Sequence, residues 1–125
     1  MKNIINTKEA PAAIGSYSQA VETNGTLYIS GQIPFDTDGN QITSSIEAQT
    51  EQVLKNMGAI LKEAGGDYSN VVKATVYTDD ISNFEKINKV YQEYFSVKPP
   101  ARAFVEVAAL PKGVNVEIEA IAVIE

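Results

Sequence analysis

The chain has 125 residues, with 44% hydrophobic and 21% charged positions, enough to bury a core without metals or disulfides. It contains neither cysteine nor histidine, which excludes thiol nucleophiles, disulfides, Ser-His-Asp triads and the usual zinc sites. The formal net charge of −6 opposes binding to nucleic acid and to anionic membranes, and no Lys/Arg cluster offsets it.

In chain order, Met1 to Glu9 mixes charged and polar residues and lacks the apolar core of a signal peptide. No apolar run approaches the roughly 20 residues needed to span a bilayer, so a cytoplasmic location is the expectation. We find no repeat, low-complexity stretch or linker, and expect a single domain over 1–125.

Ser16 to Val21 reads as a short strand. Glu22-Thr23-Asn24-Gly25 reads as a tight hairpin turn on its Asn-Gly pair. Thr26 to Ser30 alternates as a second strand; Gly31 interrupts it, and Pro34 with Asp36–Asn40 reads as loop. Ser44 and Glu47 have capping-box spacing ahead of a helical stripe: Ile46, Val53, Leu54, Met57, Ile60, Leu61 and Ala64. Gly65-Gly66 is expected to end that helix.

Val71 to Thr78 is rich in β-branched residues and reads as a central strand. Ser82 and Glu85 repeat the capping-box spacing before a second stripe, Phe84, Ile87, Val90, Tyr91, Tyr94 and Phe95. Pro99-Pro100 stops it. Ala101–Ala109 and Val116–Ile124 read as two further strands around Leu110-Pro111-Lys112-Gly113.

The resulting order, β-β-(β)-α-β-α-β-β with one strand in doubt, is an α+β pattern. It makes the strands on either side of the second helix parallel neighbours joined by a right-handed crossover. Both helices carry one apolar stripe, so both are expected on the same sheet face. The alternation of the last two strands assigns Ala103, Val105 and Val107, with Val116, Ile118, Ala120 and Ala122, to the helix side. The other side receives Arg102, Phe104 and Glu106, with Glu117, Glu119, Ile121 and Val123. An uncovered face with large apolar residues points to a homo-oligomer; the alternative is an ordinary half-exposed sheet.

Several residues can carry chemistry. Arg102 suits bidentate capture of a small carboxylate, or else forms an ion pair with Glu106. Glu117 can act as general acid/base or hold a water, or else is a solvated carboxylate like Glu119. The expected strand ends separate Arg102 from Glu117 by roughly 15–20 Å, so a site using both would be assembled across a subunit interface. Tyr17 offers a phenol or merely packs, and Ser30-Gly31 marks either a close backbone approach or a bulge.

Ala10-Pro11-Ala12-Ala13-Ile14-Gly15-Ser16-Tyr17-Ser18-Gln19-Ala20 and Ser30-Gly31-Gln32-Ile33-Pro34 resemble the amino-terminal signatures of the RidA (YjgF) family. Pro100-Ala101-Arg102-Ala103-Phe104-Val105-Glu106-Val107-Ala108, Leu110-Pro111 and Val116-Glu117-Ile118-Glu119-Ala120-Ile121-Ala122 resemble its carboxy-terminal ones. With Asn88, these blocks span nearly the whole chain.

The resemblance implies a chorismate-mutase-like α+β subunit with two helices on one face of a mixed sheet, in a homotrimer with clefts between subunits. It implies a 2-iminobutanoate/2-iminopropanoate deaminase, hydrolysing reactive enamine/imine intermediates of the 2-aminoacrylate type to 2-keto acids and ammonia without cofactor or metal. By position, Arg102 would hold the substrate carboxylate and Glu117 would place or activate the water. Tyr17, Ser30, Gly31 and Asn88 would line the cleft, with hydrogen bonds from the Gly31 N–H and the backbone around Phe104. Many bacterial members have cysteine where this chain has Phe104; phenylalanine facing the cleft would narrow it and make it more apolar. Two other readings stand beside this one: a non-catalytic regulatory trimer that binds small carboxylates, and an endoribonuclease, which the net charge and the absence of histidine oppose.

Overall fold

A computed structural model describes residues 1–125. Six strands form one sheet: β1 (Asn3–Ile5), β2 (Ala20–Thr23), β3 (Thr26–Gln32), β4 (Val71–Thr78), β5 (Ala101–Glu106) and β6 (Val116–Val123). Two helices, α1 (Ile46–Glu63) and α2 (Phe84–Tyr94), complete the α+β subunit. The sheet order is β1-β2-β3-β6-β4-β5. Every pairing is antiparallel except β4 with β5, which are parallel neighbours as the intervening helix requires.

Turn chemistry sets the β2–β3 register. Asn24 and Gly25 both adopt positive φ, 51° and 83°, the backbone of a two-residue hairpin whose twist matches its strands. The strand expected from Ser16 is β2 and begins only at Ala20, because Ser16–Gln19 serves as loop. Buried Gln19 holds that loop: its amide accepts from the Thr7 N–H at 2.7 Å and donates to the carbonyls of Thr7 and Pro11 at 3.0 and 2.9 Å. The sixth strand is β1 at the amino terminus, where no strand was expected. The strand in doubt after Ser30 is absent, leaving a lone bridge between Phe35 and Gln41.

Helix α1 begins one residue later than its spacing predicts. Ser45, not Ser44, is the cap, and its hydroxyl accepts from the Ala48 N–H at 3.0 Å. At the other end Gly65 takes φ 88°, and the Gly65 and Gly66 N–H groups donate to the Lys62 and Leu61 carbonyls. Ser82–Glu85 is not a capping box. Asp80 instead caps a 3₁₀ turn, Ile81–Asn83, that leads into α2.

Both helices lie on the same face of the sheet. Val53, Leu54, Met57, Ile60 and Leu61 of α1 join Ile87, Val90 and Tyr91 of α2 in one buried cluster with Leu27, Ile29, Ala74, Val76, Ile118 and Ala120. Each large apolar side chain buried there stabilises the fold by about 1.5–3 kcal/mol. No helix is long and apolar enough to cross a membrane.

The helix-facing assignment is right for β6, where Val116, Ile118, Ala120 and Ala122 are buried. It is reversed for β5. Arg102 pairs with buried Ala74, and Phe104 with buried Val76. Arg102, Phe104 and Glu106 therefore face the helices, and Ala103 and Val105 face away. The open face carries Tyr28, Val105 and Val123, exposed by 49, 39 and 41%, and no element of the chain covers them.

Candidate active site

Helix α2 builds the first half of the site. Phe84, Asn88 and Tyr91 are spaced i, i+4, i+7, which places them on one stripe of the helix, and that stripe meets the start of β5. Arg102 Nη1 donates to Asn88 Oδ1 at 2.7 Å. The guanidinium carbon lies 4.8 Å from the centre of the Tyr91 ring, 5.5 Å from Phe104 and 5.7 Å from Phe84. Phe84 and Phe104 pack together at 4.7 Å.

Arg102 meets no carboxylate of its own chain. Glu106, its alternative partner, is engaged elsewhere: its Oε1 accepts from the Ile81 N–H at 2.7 Å. The cation is partly exposed at an open depression of about 790 Å³ that Asn88, Tyr91, Phe95, Pro99 and Pro100 also line. A planar cation with one edge occupied by a neutral amide and the rest unpaired is equipped to grip a small carboxylate.

The second half lies on the opposite face. A bulge shifts the β3–β6 register between Ile29 and Gln32 and places Gly31 against Glu117. A Cβ at residue 31 would stand 2.0 Å from Glu117 Oε2, so glycine is needed for close approach rather than for an unusual φ. Burial first, and the charge of Glu119 second, push the Glu117 carboxyl above the usual glutamate value of 4.5. Glu119 is the solvated member of the pair; it is exposed and accepts from the Tyr77 hydroxyl at 3.0 Å. The Ser30 hydroxyl donates to the Ser18 carbonyl at 2.6 Å and ties the neighbouring loop to the bulge. Tyr17 in that loop is 55% exposed, and its oxygen accepts from the Ile14 N–H at 3.4 Å.

The sequence-predicted residues thus fall into two groups. Arg102, Asn88 and Phe104 come together; Glu117, Gly31, Ser30 and the Tyr17 loop form a second set. Arg102 is level with Ala74 and Ala120, and Glu117 with Tyr77. The two backbones are therefore roughly 14 Å apart, three residues along and two strands across, with side chains on opposite faces. Within one chain the two groups do not meet. Sequence reasoning treated Phe84 and Tyr91 only as core stripe; their spacing about Asn88 was the signal that they flank a polar group.

Comparison with known proteins places this arrangement in context. The profile of the Endoribonuclease L-PSP family matches residues 7–124. Human 2-iminobutanoate/2-iminopropanoate deaminase is 51% identical over 124 residues, covering 98% of this chain and 90% of the human protein. A Yersinia pestis structure of the conserved Rid protein family is 50% identical, with a TM-score of 0.97 over 99% of this chain and 100% of its own. Escherichia coli TdcF, solved with bound serine, is 40% identical, with a TM-score of 0.94 over 98% of this chain and 99% of its own. With a family profile spanning nearly every residue and full-length relatives at half identity, the chain belongs to the Endoribonuclease L-PSP family, that of the RidA (YjgF) proteins.

Proposed function

We propose that this protein is a 2-iminobutanoate/2-iminopropanoate deaminase. The observation that carries the reading is the Arg102 guanidinium, oriented by Asn88, free of any carboxylate partner and reachable from solvent. The human relative, about half identical over nearly the whole chain, is named for that activity.

In this reading Arg102 holds the substrate carboxylate and places C2 of the imine in the cleft. A protonated imine is already electrophilic, so positioning and modest acid/base help suffice. Glu117, ionised, takes a proton from water as its oxygen bonds to C2 and the C=N π electrons move to nitrogen. The proton then passes to that nitrogen. Glu117, ionised again, takes the proton of the new C2 hydroxyl as the C–N bond breaks; ammonia leaves, the C2 carbonyl of the keto acid forms, and that proton passes on to the ammonia or to solvent. Tyr17, Ser30, Gly31, Asn88 and Phe104 shape the cleft, and no residue role calls on a metal or cofactor.

Because Arg102 and Glu117 lie on opposite faces of one subunit, the working cleft joins Arg102 of one copy to Glu117 of another. Strand β5 is the edge of the sheet, so a homotrimer in which the β5 edge of one copy, with Arg102, packs over the open, Glu117-bearing face of the next supplies that junction. Its ligands are small imines or 2-keto acids, not nucleic acid, and its place is the cytoplasm. The net charge of −6 and the lack of histidine oppose the ribonuclease activity in the family's description.

The test supplies a serine/threonine dehydratase with its amino acid and follows keto-acid release. Added protein should accelerate release, and Arg102→Ala should lower kcat/KM by about 100-fold. No acceleration by the wild type would overturn the proposal. Serine bound to TdcF favours a second reading, a regulatory trimer sensing small carboxylates. Binding of 2-ketobutyrate without turnover of the imine would select it.

A further inference from the structure

We propose that Tyr91 is a positioning residue for the carboxylate anchor, its ring the plate against which the Arg102 guanidinium is held. The inference rests on the reading of Arg102 as that anchor. Of the three rings near the cation, Tyr91 is the closest, 4.8 Å from its centre to Cζ. It is also the most fixed: only 4% exposed, packed against Phe95 at 4.7 Å. Phe84, by contrast, is 37% exposed.

A buried ring cannot swing away, so it defines one face of the guanidinium. Asn88, one turn earlier on α2, defines one edge by accepting from Nη1. Face and edge together fix a planar group and leave its remaining N–H donors directed outward. Without the plate Arg102 regains rotamer freedom, which a bound carboxylate must then remove.

The Tyr91 oxygen is buried and meets no hydrogen-bond partner within the chain, so what Tyr91 presents to Arg102 is the face of its ring. Burial pushes the phenol's pKa up, so the ring stays neutral beneath the cation.

The experiment measures 2-ketobutyrate affinity by calorimetry, with KM and kcat in the dehydratase-coupled assay. Tyr91→Leu should raise Kd and KM about fivefold, the effect of one partly desolvated cation–π contact, with kcat little changed. Tyr91→Phe should restore most of that affinity. A series of increasingly fluorinated phenylalanines at position 91 keeps shape and packing while draining the ring face of charge, so Kd should rise stepwise. A flat fluorination series, or a Tyr91→Leu effect confined to kcat, would overturn the proposal. If Tyr91→Leu fails to fold, the isosteric series still decides. Arg102→Ala separates the two readings: intact affinity in that variant removes the anchor itself, whereas lost affinity beside a flat series removes only the plate.

Discussion

Glu117 is a carboxylate kept in a place that raises its pKa, and the consequence can be read from stability. Half-buried beside Glu119, it retains its proton above the usual 4.5. In the window between 4.5 and that raised value the folded state binds more protons than the unfolded chain, so stability falls as pH rises. The favourable contribution is fully present below about pH 4.5 and lost as pH climbs through the raised value. Glu117→Gln keeps the shape but cannot ionise. It should unfold at higher urea than the wild type at pH 7, with the difference closing toward pH 4, and should lose turnover at pH 7, where the wild-type carboxylate is ionised. Equal midpoints at pH 7 would mean that the carboxylate is comfortably solvated. A residue that weakens the fold while serving the site is the usual stability–activity conflict.

Among elements, α1 depends on one small residue inside its own length. Gly58 admits Tyr68: a Cβ there would lie 2.1 Å from the Tyr68 oxygen and 2.7 Å from the ring carbon bearing it. The Tyr68 hydroxyl donates to the Leu54 carbonyl at 2.6 Å, and its ring meets Tyr94 and Phe95 edge-on. Tyr94 in turn donates to Glu51 of α1, joining the helices. Burial, reinforced by the nearby Glu51 charge, pushes the Tyr68 phenol up to about 12. In a solvated helix Gly→Ala would stabilise by roughly 1 kcal/mol. Here the collision is with a partly buried ring held by its hydrogen bond to Leu54 and its edge contacts with Tyr94 and Phe95, so Gly58→Ala should destabilise by about 1–3 kcal/mol. Denaturant titration gives the sign directly, and a gain in stability would show that the Tyr68 cluster is loose.

For the whole molecule, the open sheet face and the divided site make the same demand. Tyr28, Val105 and Val123 are left uncovered on the face that also bears Glu117, while Arg102 lies behind it. Val105 is exposed in the subunit, so Val105→Asp should leave the fold intact. It should prevent the faces from packing, so that light scattering reports a single-chain mass and deaminase activity is lost with it. A monomeric variant of full activity would end the idea of a cleft between copies.

Legibility followed the range of the interaction. The Asn24-Gly25 hairpin, the α1 stop at Gly65-Gly66 and the bounds of β4 were readable because each depends on residues a few positions apart. Strand β1 was not, since three residues carry no period and only pairing with β2 makes them a strand. The buried role of Gln19, which holds two distant stretches of loop, was equally invisible. Arg102 and Glu117 were identifiable as chemistry-bearing types, helped by resemblance over the surrounding blocks. Their faces were not: β5 alternates in both directions, and only the packing of Asn88 and Tyr91 against it decides which side meets the helices. By itself, then, the sequence determined which chemistries are impossible here and which local elements form, because both depend on residue type and near neighbours. Tertiary structure alone decided that the cation and the carboxylate stand on opposite faces, because strand register and helix placement are fixed by contacts between residues far apart in the chain.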